Sequence, residues 1–346
     1  MNAPAPQTAP PLLDVQGLHV HFNTGGWRSR AQVHAVDDVS FAIARGTTFG
    51  LVGESGSGKS TTALAIMRLL QHSAGEIRLD GTDIGRLRGT ALRSARRRFQ
   101  MVFQDPFASL NPRKRAIDTV REALDLMAVG TPDGRAAQAA ALFAQVGLRA
   151  EQRNLFPHQF SGGQRQRIVL ARALAAHPEL VVCDEPVSAL DVAIQAQILN
   201  LMKRLQRELG LTYLFISHDL GVIRHLCDEV AVMYLGRIVE RAPRETLFER
   251  PLHPYTRALW SAAPSFDSRE RGRERRIRLN GDPPSPLDLP PGCGFAARCP
   301  FANARCHAER PALRRLTAHQ HVACHRVDDD ARAHYENDTA ACTNSA

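Results

Sequence analysis

The chain contains 346 residues, of which 44% are hydrophobic, so it can bury a sizeable core in one large domain with a smaller appendix. No segment approaches the ~20 consecutive apolar residues that span a bilayer, and the opening MNAPAPQTAPPLL lacks the basic and apolar regions of a secretory signal. We therefore expect residues 1–10 to be a disordered lead, and the protein to stay in the cytosol or at a membrane through a partner. A net charge of +9 is compatible with nucleic acid, an anionic membrane or a phosphate ligand.

Two segments near the start, 12–22 and 33–43, alternate apolar and polar residues. This alternation predicts half-buried strands, joined by a loop at 23–32. Residues 47–53 then lead as a strand into a glycine-rich loop, and residues 59–70 carry apolar side chains at helical spacing. The sequence thus predicts a strand, a loop and a helix in succession.

Later in the chain, four short apolar segments are predicted to be buried strands. They are residues 98–103, 179–184, 212–217 and 228–233. Predicted helices at 191–209 and 219–226 alternate with them, which indicates an α/β fold with a largely parallel sheet between helical layers. A helix-rich block at roughly 115–176 interrupts the alternation and is predicted to be an inserted helical lobe.

The end of the chain differs from this pattern. Residues 269–278 are rich in arginine and are predicted to be a solvated linker. The proline-rich segment 282–291 is incompatible with regular helix or strand and introduces a group of cysteines. Beyond residue 326 the chain is polar and predicted to be disordered, so residues 327–346 form a tail.

The glycine-rich loop, GESGSGKS, fits the Walker A pattern G-x-x-x-x-G-K-[ST] at every position. Such a loop turns its backbone N–H groups toward phosphate oxygens, and the following helix adds its positive N-terminal end. Lys59 is expected to reach the β- and γ-phosphates of ATP, and Ser60 to ligate Mg²⁺. The predicted phosphate-binding residues are Gly53, Glu54, Ser55, Gly56, Ser57, Gly58, Lys59, Ser60 and Thr61.

An acidic strand end supplies the second half of such a site. The apolar residues 180–183 are followed by Asp184 and Glu185. Asp184 is expected to hold Mg²⁺ through water, and Glu185 to polarise an attacking water molecule. An ordinary buried strand ending in two solvated acids is the alternative, and the Walker A loop favours the catalytic interpretation.

A third motif, FSGGQRQR at 160–167, is a Ser-Gly-Gly turn that opens a basic helix, another arrangement suited to an anion. Beside the phosphate loop and the Asp-Glu pair, it resembles the LSGGQ signature of ATP-binding-cassette (ABC) ATPases, with Phe160 in place of leucine. The resemblance covers about residues 12–260. It extends to Gln104 of the Q-loop, residues 188–191 of the D-loop, the switch histidine His218, and Phe22, placed like the aromatic residue that stacks on adenine.

This resemblance implies a P-loop ABC cassette over residues 11–262, with a mainly parallel sheet, an antiparallel β subdomain and an inserted helical subdomain at about 105–176. Two cassettes would pack head to tail around ATP. The residues expected to reach the partner's ATP are Ser161, Gly162, Gly163, Gln164 and Asp191. Glu185 would be the general base, His218 would contact the γ-phosphate, and Gln104 would link Mg²⁺ and water to a membrane partner.

Three further segments, 102–112, 251–264 and 281–306, resemble the oligopeptide/dipeptide permease branch, more like its second ATPase subunit. This implies an ATP-hydrolysing subunit that energises bacterial import of oligopeptides, dipeptides or related solutes such as nickel. Its implied partners are a second ATPase subunit (identical or a paralogue), two integral membrane permease subunits and, indirectly, an extracytoplasmic solute-binding protein. The implied location is peripheral, on the cytoplasmic face of the inner membrane.

Two other functions are compatible with the nucleotide motifs. One is a soluble ABC ATPase acting on ribosomes or DNA, which the single cassette and the lack of a sustained heptad stretch disfavour. The other is a metal-binding module in which ATP only switches conformation, which Glu185 and His218 argue against. The residues of this chain do not identify the transported solute, because selectivity would lie in the binding protein and the membrane subunits.

Four of the seven cysteines lie in a C-terminal extension at 263–326: Cys293, Cys299, Cys306 and Cys324. In a cytosolic protein such a group indicates a metal more than disulfides. The spacing lacks the paired C-x2-C of zinc ribbons, and the branch resemblance implies a [4Fe–4S] cluster, with tetrahedral zinc and unligated thiols as alternatives. Cys183 and Cys227 are predicted to be core residues, and Cys342 in the tail has no assigned role.

Overall fold

The structure is a computed structural model that describes residues 10–24, 31–262, 277, 279 and 281–328. The predicted lead up to residue 9, the arginine-rich segment at 269–276, and the tail from residue 329 with Cys342 lie outside the described residues. The extension predicted at 263–326 is described from residue 281 onward, apart from residues 277 and 279. Val327, predicted to begin the tail, is instead buried against Val322 and Cys324, so we use the name C-terminal extension for residues 281–328.

The described chain alternates strands and helices as predicted. The strands, in chain order, are β1 (Leu13–Thr24), β2 (Ala31–Ile43), β3 (Thr48–Val52), β4 (Ala74–Leu79), β5 (Thr82–Asp83), β6 (Phe99–Val102), β7 (Leu180–Asp184), β8 (Thr212–Ile216), β9 (Glu229–Tyr234), β10 (Arg237–Pro243), β11 (Arg314–Arg315) and β12 (His321–Val322). The α-helices are α1 (Lys59–Ile66), α2 (Gly89–Ala95), α3 (Ala116–Leu126), α4 (Arg135–Gln145), α5 (Gly162–Leu174), α6 (Val192–Leu209), α7 (Leu220–Leu226), α8 (Arg244–Glu249), α9 (Pro254–Ala262) and α10 (Ala304–Ala308). Short 3₁₀ turns lie at Pro132–Gly134, Ala150–Asn154, Pro157–Gln159 and Ala296–Arg298.

The main sheet has eight strands in the order β11-β12-β10-β9-β3-β8-β7-β6. The five strands from β9 to β6 are parallel to one another, and β10, β12 and β11 continue the sheet in antiparallel fashion. All residues of β3 and β8 are buried, because helices or the second sheet cover both faces. The predicted α/β fold with a mainly parallel core is confirmed.

The second sheet, β2-β1-β4-β5, is antiparallel and forms the predicted antiparallel β subdomain. β1 and β2 correspond to the two segments whose alternation predicted half-buried strands. Their register shifts at several points, and Asp38 takes a positive φ of 62°. The sheet packs its apolar face, including Val20, Val39 and Ile77, against α1 and one face of the main sheet.

The helical lobe lies between β6 and β7 in the chain and contains α3, α4 and α5. These helices pack together around buried apolar residues such as Val120, Phe143 and Ile168. They share one continuous core with the second face of the main sheet, because α5 runs from the lobe back to β6. The lobe is therefore packed continuously against the main sheet of the cassette.

Helix α1 ends at Ile66, four residues before the end predicted from the apolar spacing of residues 59–70. Arg68 takes a positive φ of 53°, and the N–H of Leu69 donates to the carbonyl of Leu64 at 2.9 Å. This is the hydrogen-bonding pattern that closes a helix C-terminus, so apolar spacing continues past the point where the backbone turns.

The C-terminal extension joins the main sheet, since β12 pairs with β10 and β11 pairs with β12. A buried carboxylate, Glu240 of β10, accepts the N–H groups of Leu252 at 2.8 Å and His253 at 2.9 Å, and the Nε2 of Gln320 at 3.0 Å. It ties the extension to the segment that precedes α9. Within the described part of the chain, no helix has the length and apolar character to cross a membrane.

Candidate nucleotide site

The phosphate loop connects β3 to α1, at the end of the parallel strands where open α/β sheets bind ligands. Gly53 has a φ of 155°, and a Cβ atom there would lie 2.2 Å from the carbonyl oxygen of Met233. Gly58 has a φ of 101°, and a Cβ there would lie 2.3 Å from the carbonyl oxygen of Ala35. Both positions require glycine, because the loop is pressed against the backbone of neighbouring segments.

Lys59 is 6% exposed, and its ammonium donates to the carbonyl oxygens of Gly53 and Glu54, each at 2.8 Å. Burial lowers the pKa of Lys59, while the nearby charges of Glu185, Asp184 and Glu54 act in the opposite direction. The ammonium therefore lies inside the curl of the loop and close to both acids at the end of β7.

Ser60 and Asp184, the two residues predicted to hold Mg²⁺ with Gln104, are in direct contact. The hydroxyl of Ser60 donates to Oδ1 of Asp184 at 3.0 Å. Burial raises the pKa of Asp184, and the Ser60 hydrogen bond opposes that rise. A hydroxyl and a carboxylate next to a phosphate loop are the oxygen donors that Mg²⁺ uses in nucleotide sites, so this donor set fits the ion.

Glu185 is the point at which the predicted catalytic residues meet. The Nε2 of Gln104 donates to its Oε2 at 3.0 Å, and the Nδ1 of His218 lies 2.9 Å from its Oε1. The backbone of Glu185 takes a positive φ of 48°, and its N–H donates to the carbonyl of Ile216 at 3.0 Å. These contacts fix a largely buried carboxylate between the Q-loop and the switch histidine, 16% of the side chain being exposed.

The predicted catalytic and Mg²⁺-binding residues lie at or beyond the carboxyl ends of β3, β6, β7 and β8, four parallel strands of one sheet. We call them the catalytic edge: Ser60, Gln104, Asp184, Glu185 and His218. The sequence predicted all five, and the structure brings them together.

The signature turn caps helix α5. The hydroxyl of Ser161 accepts the N–H of Gln164 at 3.3 Å, and the Oε1 of Gln164 accepts the N–H of Ser161 at 3.0 Å. This reciprocal capping box places Gly162 and Gly163 in the first helical turn, where N–H groups have no partner within the helix. Asp191 precedes α6, and Gly163 is packed so closely that a Cβ would lie 2.4 Å from Ile194.

Phe22 lies on β1 opposite Val33, and 37% of its surface is exposed. An exposed ring on this strand is compatible with the predicted stacking role. The neighbouring part of the predicted loop, residues 25–30, lies outside the described residues.

The four cysteines of the C-terminal extension gather in one region. Cys306 and Cys324 are buried, Cys293 and Cys299 are half-buried, and none of the six described cysteines forms a disulfide. Burial, together with the nearby cysteine thiols, raises the pKa of Cys299 to about 11 and that of Cys324 to about 12. Cys183 and Cys227 are buried in the cassette, in agreement with the sequence prediction.

One group of metal-binding side chains lies elsewhere, on the antiparallel sheet. Single ligand atoms of His19, His21 and Asp37 all lie within 4.8 Å of one another. Asp37, however, accepts hydrogen bonds from Arg237 at 2.8 Å and Arg310 at 3.2 Å, and these guanidinium groups balance its charge. We assign this group a structural role in joining β2 to β10 and to the C-terminal extension.

Three residues near the phosphate loop were not predicted from the sequence. The hydroxyl of Tyr255 accepts the N–H of Glu54 at 2.9 Å, and a nitrogen of the Arg298 guanidinium donates to the carboxylate of Glu54 at 2.8 Å. Tyr234 packs against both Tyr255 and Arg298. These residues stand in no recognisable spacing to the Walker A motif, so the sequence carried no signal that would have found them.

Comparison with known proteins agrees with this site. A family described as ABC transporter matches residues 36–188, and a family described as oligopeptide/dipeptide transporter, C-terminal region, matches residues 239–306. The chain is 51% identical over 319 residues to a Brucella ovis protein named for peptide import and ATP binding, covering 92% of this chain and 99% of that protein. It is 49% identical over 299 residues to the oligopeptide transport ATP-binding protein AppF of Bacillus subtilis, covering 86% and 91%.

Solved structures give the same result for the cassette. The dimeric ATP-binding cassette MJ0796, bound to ADP and Pi, superimposes with a TM-score of 0.60 at 28% identity and covers 67% of this chain and 98% of its own. The cbiO1 protein from Clostridium perfringens, part of the ABC transporter complex cbiONQ, gives a TM-score of 0.61 at 26% identity, covering 70% and 92%.

Proposed function

Because the chain belongs to the oligopeptide/dipeptide branch of ABC transporter ATP-binding subunits, we propose that it hydrolyses ATP to drive the import of oligopeptides, dipeptides or related small solutes. The ATPase activity itself follows from the family. The observation that carries the catalytic assignment is the convergence of Gln104 and His218 on the carboxylate of Glu185, next to the Ser60–Asp184 pair.

Different residues of the site have different roles in ATP hydrolysis. The N–H groups of the phosphate loop and the ammonium of Lys59 bind the phosphates, and Lys59 exchanges its loop carbonyls for phosphate oxygens when ATP binds. Ser60, Gln104 and Asp184 would hold Mg²⁺, which would supply positive charge to the β- and γ-phosphates. Glu185 accepts the proton of the attacking water, and His218, which lies against Glu185, contacts the γ-phosphate.

The second half of the ATP site comes from another cassette. Ser161, Gly162 and Gly163 begin a helix whose first N–H groups have no partner within the helix, which suits them to the γ-phosphate of the facing subunit. The side chain of Gln164 accepts a hydrogen bond from the N–H of Ser161 and so stabilises that turn. Asp191 of the D-loop immediately precedes α6, the helix whose Ile194 packs against Gly163. The partner cassette is a second copy or a paralogue.

The exposed apolar residues around the Q-loop indicate where the membrane subunits dock. Phe103 and Phe107 are 38% and 51% exposed and flank Gln104 of the catalytic edge, and Leu126 on α3 is 71% exposed. Phe103 and Phe107 lie close together in the sequence, and neighbouring exposed apolar side chains are typical of an interaction surface. We infer that the two permease subunits contact this surface at the cytoplasmic face of the membrane and that the solute-binding protein acts only indirectly.

We propose that the four cysteines of the C-terminal extension hold a [4Fe–4S] cluster. The spacing of Cys293, Cys299 and Cys306 lacks the paired C-x2-C of zinc ribbons, and the branch resemblance favours a cluster over a single zinc ion. Backbone N–H groups also donate to the thiols of Cys293, Cys299 and Cys324, as they do to cluster thiolates. Iron, sulfide and zinc analysis of anaerobically purified protein tests this: stoichiometric zinc without iron, or neither metal, contradicts it.

The catalytic proposal is tested by Glu185→Gln in the full chain. Without a carboxylate to accept a proton, we expect hydrolysis to fall at least ~1,000-fold while ATP binding is retained. The matched control is Glu309→Gln, an exposed glutamate paired with Arg305 in the C-terminal extension. Normal hydrolysis by the Glu185 variant contradicts the assignment. Copurification with ribosomes or DNA instead of membrane subunits contradicts the transport role.

A further inference from the structure

Glu54, the second residue of the phosphate loop, is held by the C-terminal part of the chain. Arg298 donates through both terminal nitrogens to its two carboxylate oxygens, at 2.8 and 3.3 Å. The hydroxyl of Tyr255 accepts the N–H of Glu54 at 2.9 Å. Both Tyr255 and Arg298 lie in the region that matches the oligopeptide/dipeptide C-terminal family and outside the region that matches the ABC transporter family. Tyr255 lies near the end of the cassette, whereas Arg298 reaches the loop from the C-terminal extension.

Arg298 is well placed for a strong interaction. Its side chain is 8% exposed and that of Glu54 is 29% exposed, so water screens the pair only partly. The guanidinium also contacts the hydroxyl of Tyr234 at 3.4 Å and lies over its ring. Burial alone would lower the pKa of Arg298, but the hydrogen bonds to Glu54 and Tyr234 and the charge of Glu54 raise it above its ordinary value.

The contact matters for ATP because of where Glu54 lies. Its carbonyl oxygen accepts a hydrogen bond from the ammonium of Lys59, the residue expected on the β- and γ-phosphates. A free carboxylate at this position would add negative charge beside a highly charged triphosphate, and like charges repel. Arg298 neutralises that carboxylate and, through its two-point contact, sets the orientation of the loop residue that bears it.

We propose that Arg298 is a positioning residue for ATP binding: it acts through Glu54, so that the C-terminal extension sets the affinity of the phosphate loop for ATP. This proposal rests on the proposed ATPase function. Arg298 is the last residue of the 3₁₀ turn Ala296–Arg298, which lies between Cys293 and Cys299 in the sequence. The N–H of Ala296 donates to the carbonyl of Cys293 at 3.0 Å, and the N–H of Cys299 donates to the carbonyl of Ala296 at 3.3 Å. The backbone that carries Arg298 is thus continuous with two of the four cysteines.

The test is a double-mutant cycle on the full chain with Arg298→Met, Glu54→Gln and the double variant. Dissociation constants for a fluorescent ATP analogue are measured on the purified chain, and KM and kcat for ATP on the chain assembled with its membrane subunits. Arg298→Met leaves a partly buried carboxylate unpaired beside the phosphates. We therefore expect the dissociation constant for ATP to rise about tenfold, with a similar rise in KM. We expect kcat to change less than about twofold, because the catalytic edge is untouched.

In the Glu54→Gln background, Arg298→Met should have little further effect, because no carboxylate is left unpaired. A residue that only stabilised the fold of the C-terminal extension would weaken binding equally in both backgrounds. Arg298→Lys keeps the charge but loses the two-point contact, so we expect an intermediate effect of about threefold. Should Arg298→Met fail to fold, Arg298→Lys compared in the two backgrounds answers the same question.

Arg305→Met is the matched control, because Arg305 lies in the same extension, is 60% exposed and pairs with Glu309. Unchanged ATP binding in Arg298→Met, or an equal loss in the Glu54→Gln background, overturns the proposal. A wild-type chain that binds the analogue but does not hydrolyse ATP would instead overturn the proposed function. The two outcomes are distinguishable, because the dissociation constants of the double-mutant cycle are measured without hydrolysis.

Discussion

The catalytic edge and the contact between the C-terminal extension and the phosphate loop hold their polar residues in different ways. Each residue of the catalytic edge lies at or beyond the carboxyl end of a parallel strand, and those strand ends meet at one edge of the sheet. Arg298, in contrast, reaches Glu54 from a 3₁₀ turn that is 244 residues further along the chain. The first arrangement is a property of sheet topology, whereas the second depends on how an appended segment packs.

The difference predicts that the two regions fail in different ways when their buried charges are changed. Variants at the catalytic edge should remove ATP binding or hydrolysis and leave folding intact. Variants in the C-terminal extension should change stability or affinity and leave the chemistry intact. Three substitutions test this distinction, beginning with the largest expected effect. The first lies in the phosphate loop beside the catalytic edge, and the other two lie on β10 and β2, where they contact the C-terminal extension.

The first substitution is Lys59→Met. It removes the buried ammonium that lies within the curl of the phosphate loop, while keeping an apolar stem of similar length. We expect ATP affinity and hydrolysis to fall at least about 100-fold, since a preorganised charge on the phosphates is lost. Thermal unfolding should change little, because the hydrogen bonds that the Lys59 ammonium donates go to atoms of its own loop.

Binding of a fluorescent nucleotide and the rate of phosphate release measure the effect of Lys59→Met. The matched control is Lys203→Met on α6, away from the phosphate loop. Retained nucleotide affinity in Lys59→Met would contradict the assigned role of the loop.

The contrast between the two regions also explains what could be predicted from the sequence. Gln104, Glu185 and His218 were found because each follows an apolar strand and belongs to an ordered set of motifs. The main parallel strands were found because both their faces are buried, and continuous apolar runs are recognisable.

Other elements gave weaker signals. Strand β10 contains Arg237, Glu240 and a proline, a composition that does not indicate a strand. Glu240 is fully buried only because Leu252, His253 and Gln320 surround it, a set of distant contacts that local spacing cannot encode. The pairing of β12 with β10 and the Arg298–Glu54 contact were missed for the same reason: they join segments with no shared periodicity.

The second substitution, Glu240→Ala, tests whether the C-terminal extension is structurally part of the cassette. Burial raises the pKa of Glu240, against the effect of the hydrogen bonds that it accepts from Leu252, His253 and Gln320. Removing the carboxylate leaves several buried donors without an acceptor, which should cost about 2–4 kcal/mol of unfolding free energy.

The melting temperature and the urea unfolding curve measure the effect of Glu240→Ala, with the exposed Glu249→Ala as control. A single transition shifted to lower temperature is expected, since β12 pairs directly with β10 of the main sheet. Two separate transitions, one unchanged from wild type, would show that the extension unfolds independently of the cassette.

The third substitution, Asp37→Asn, has the smallest expected effect and acts where the two regions meet. Asp37 on β2 accepts hydrogen bonds from Arg237 on β10 and from Arg310 in the C-terminal extension, and 10% of its side chain is exposed. Burial would raise the pKa of Asp37, but the hydrogen bond and charge of Arg237 and the charges of Arg310 and His19 outweigh it and lower that pKa. A carboxyl group with a lowered folded-state pKa stabilises the fold above its unfolded pKa of about 3.9.

That stabilisation is lost as the pH falls through the lower, folded-state pKa. We therefore expect Asp37→Asn to reduce the unfolding free energy by about 1–2 kcal/mol at pH 7, and the difference from wild type to shrink progressively below about pH 4. Urea unfolding at a series of pH values measures this, with Asp288→Asn, an exposed position in the extension, as control. A difference of the same size at pH 7 and pH 3 would mean that Asp37 acts through packing. A difference that disappears with protonation would place the stabilisation in the ion pairs that hold the extension against the antiparallel sheet.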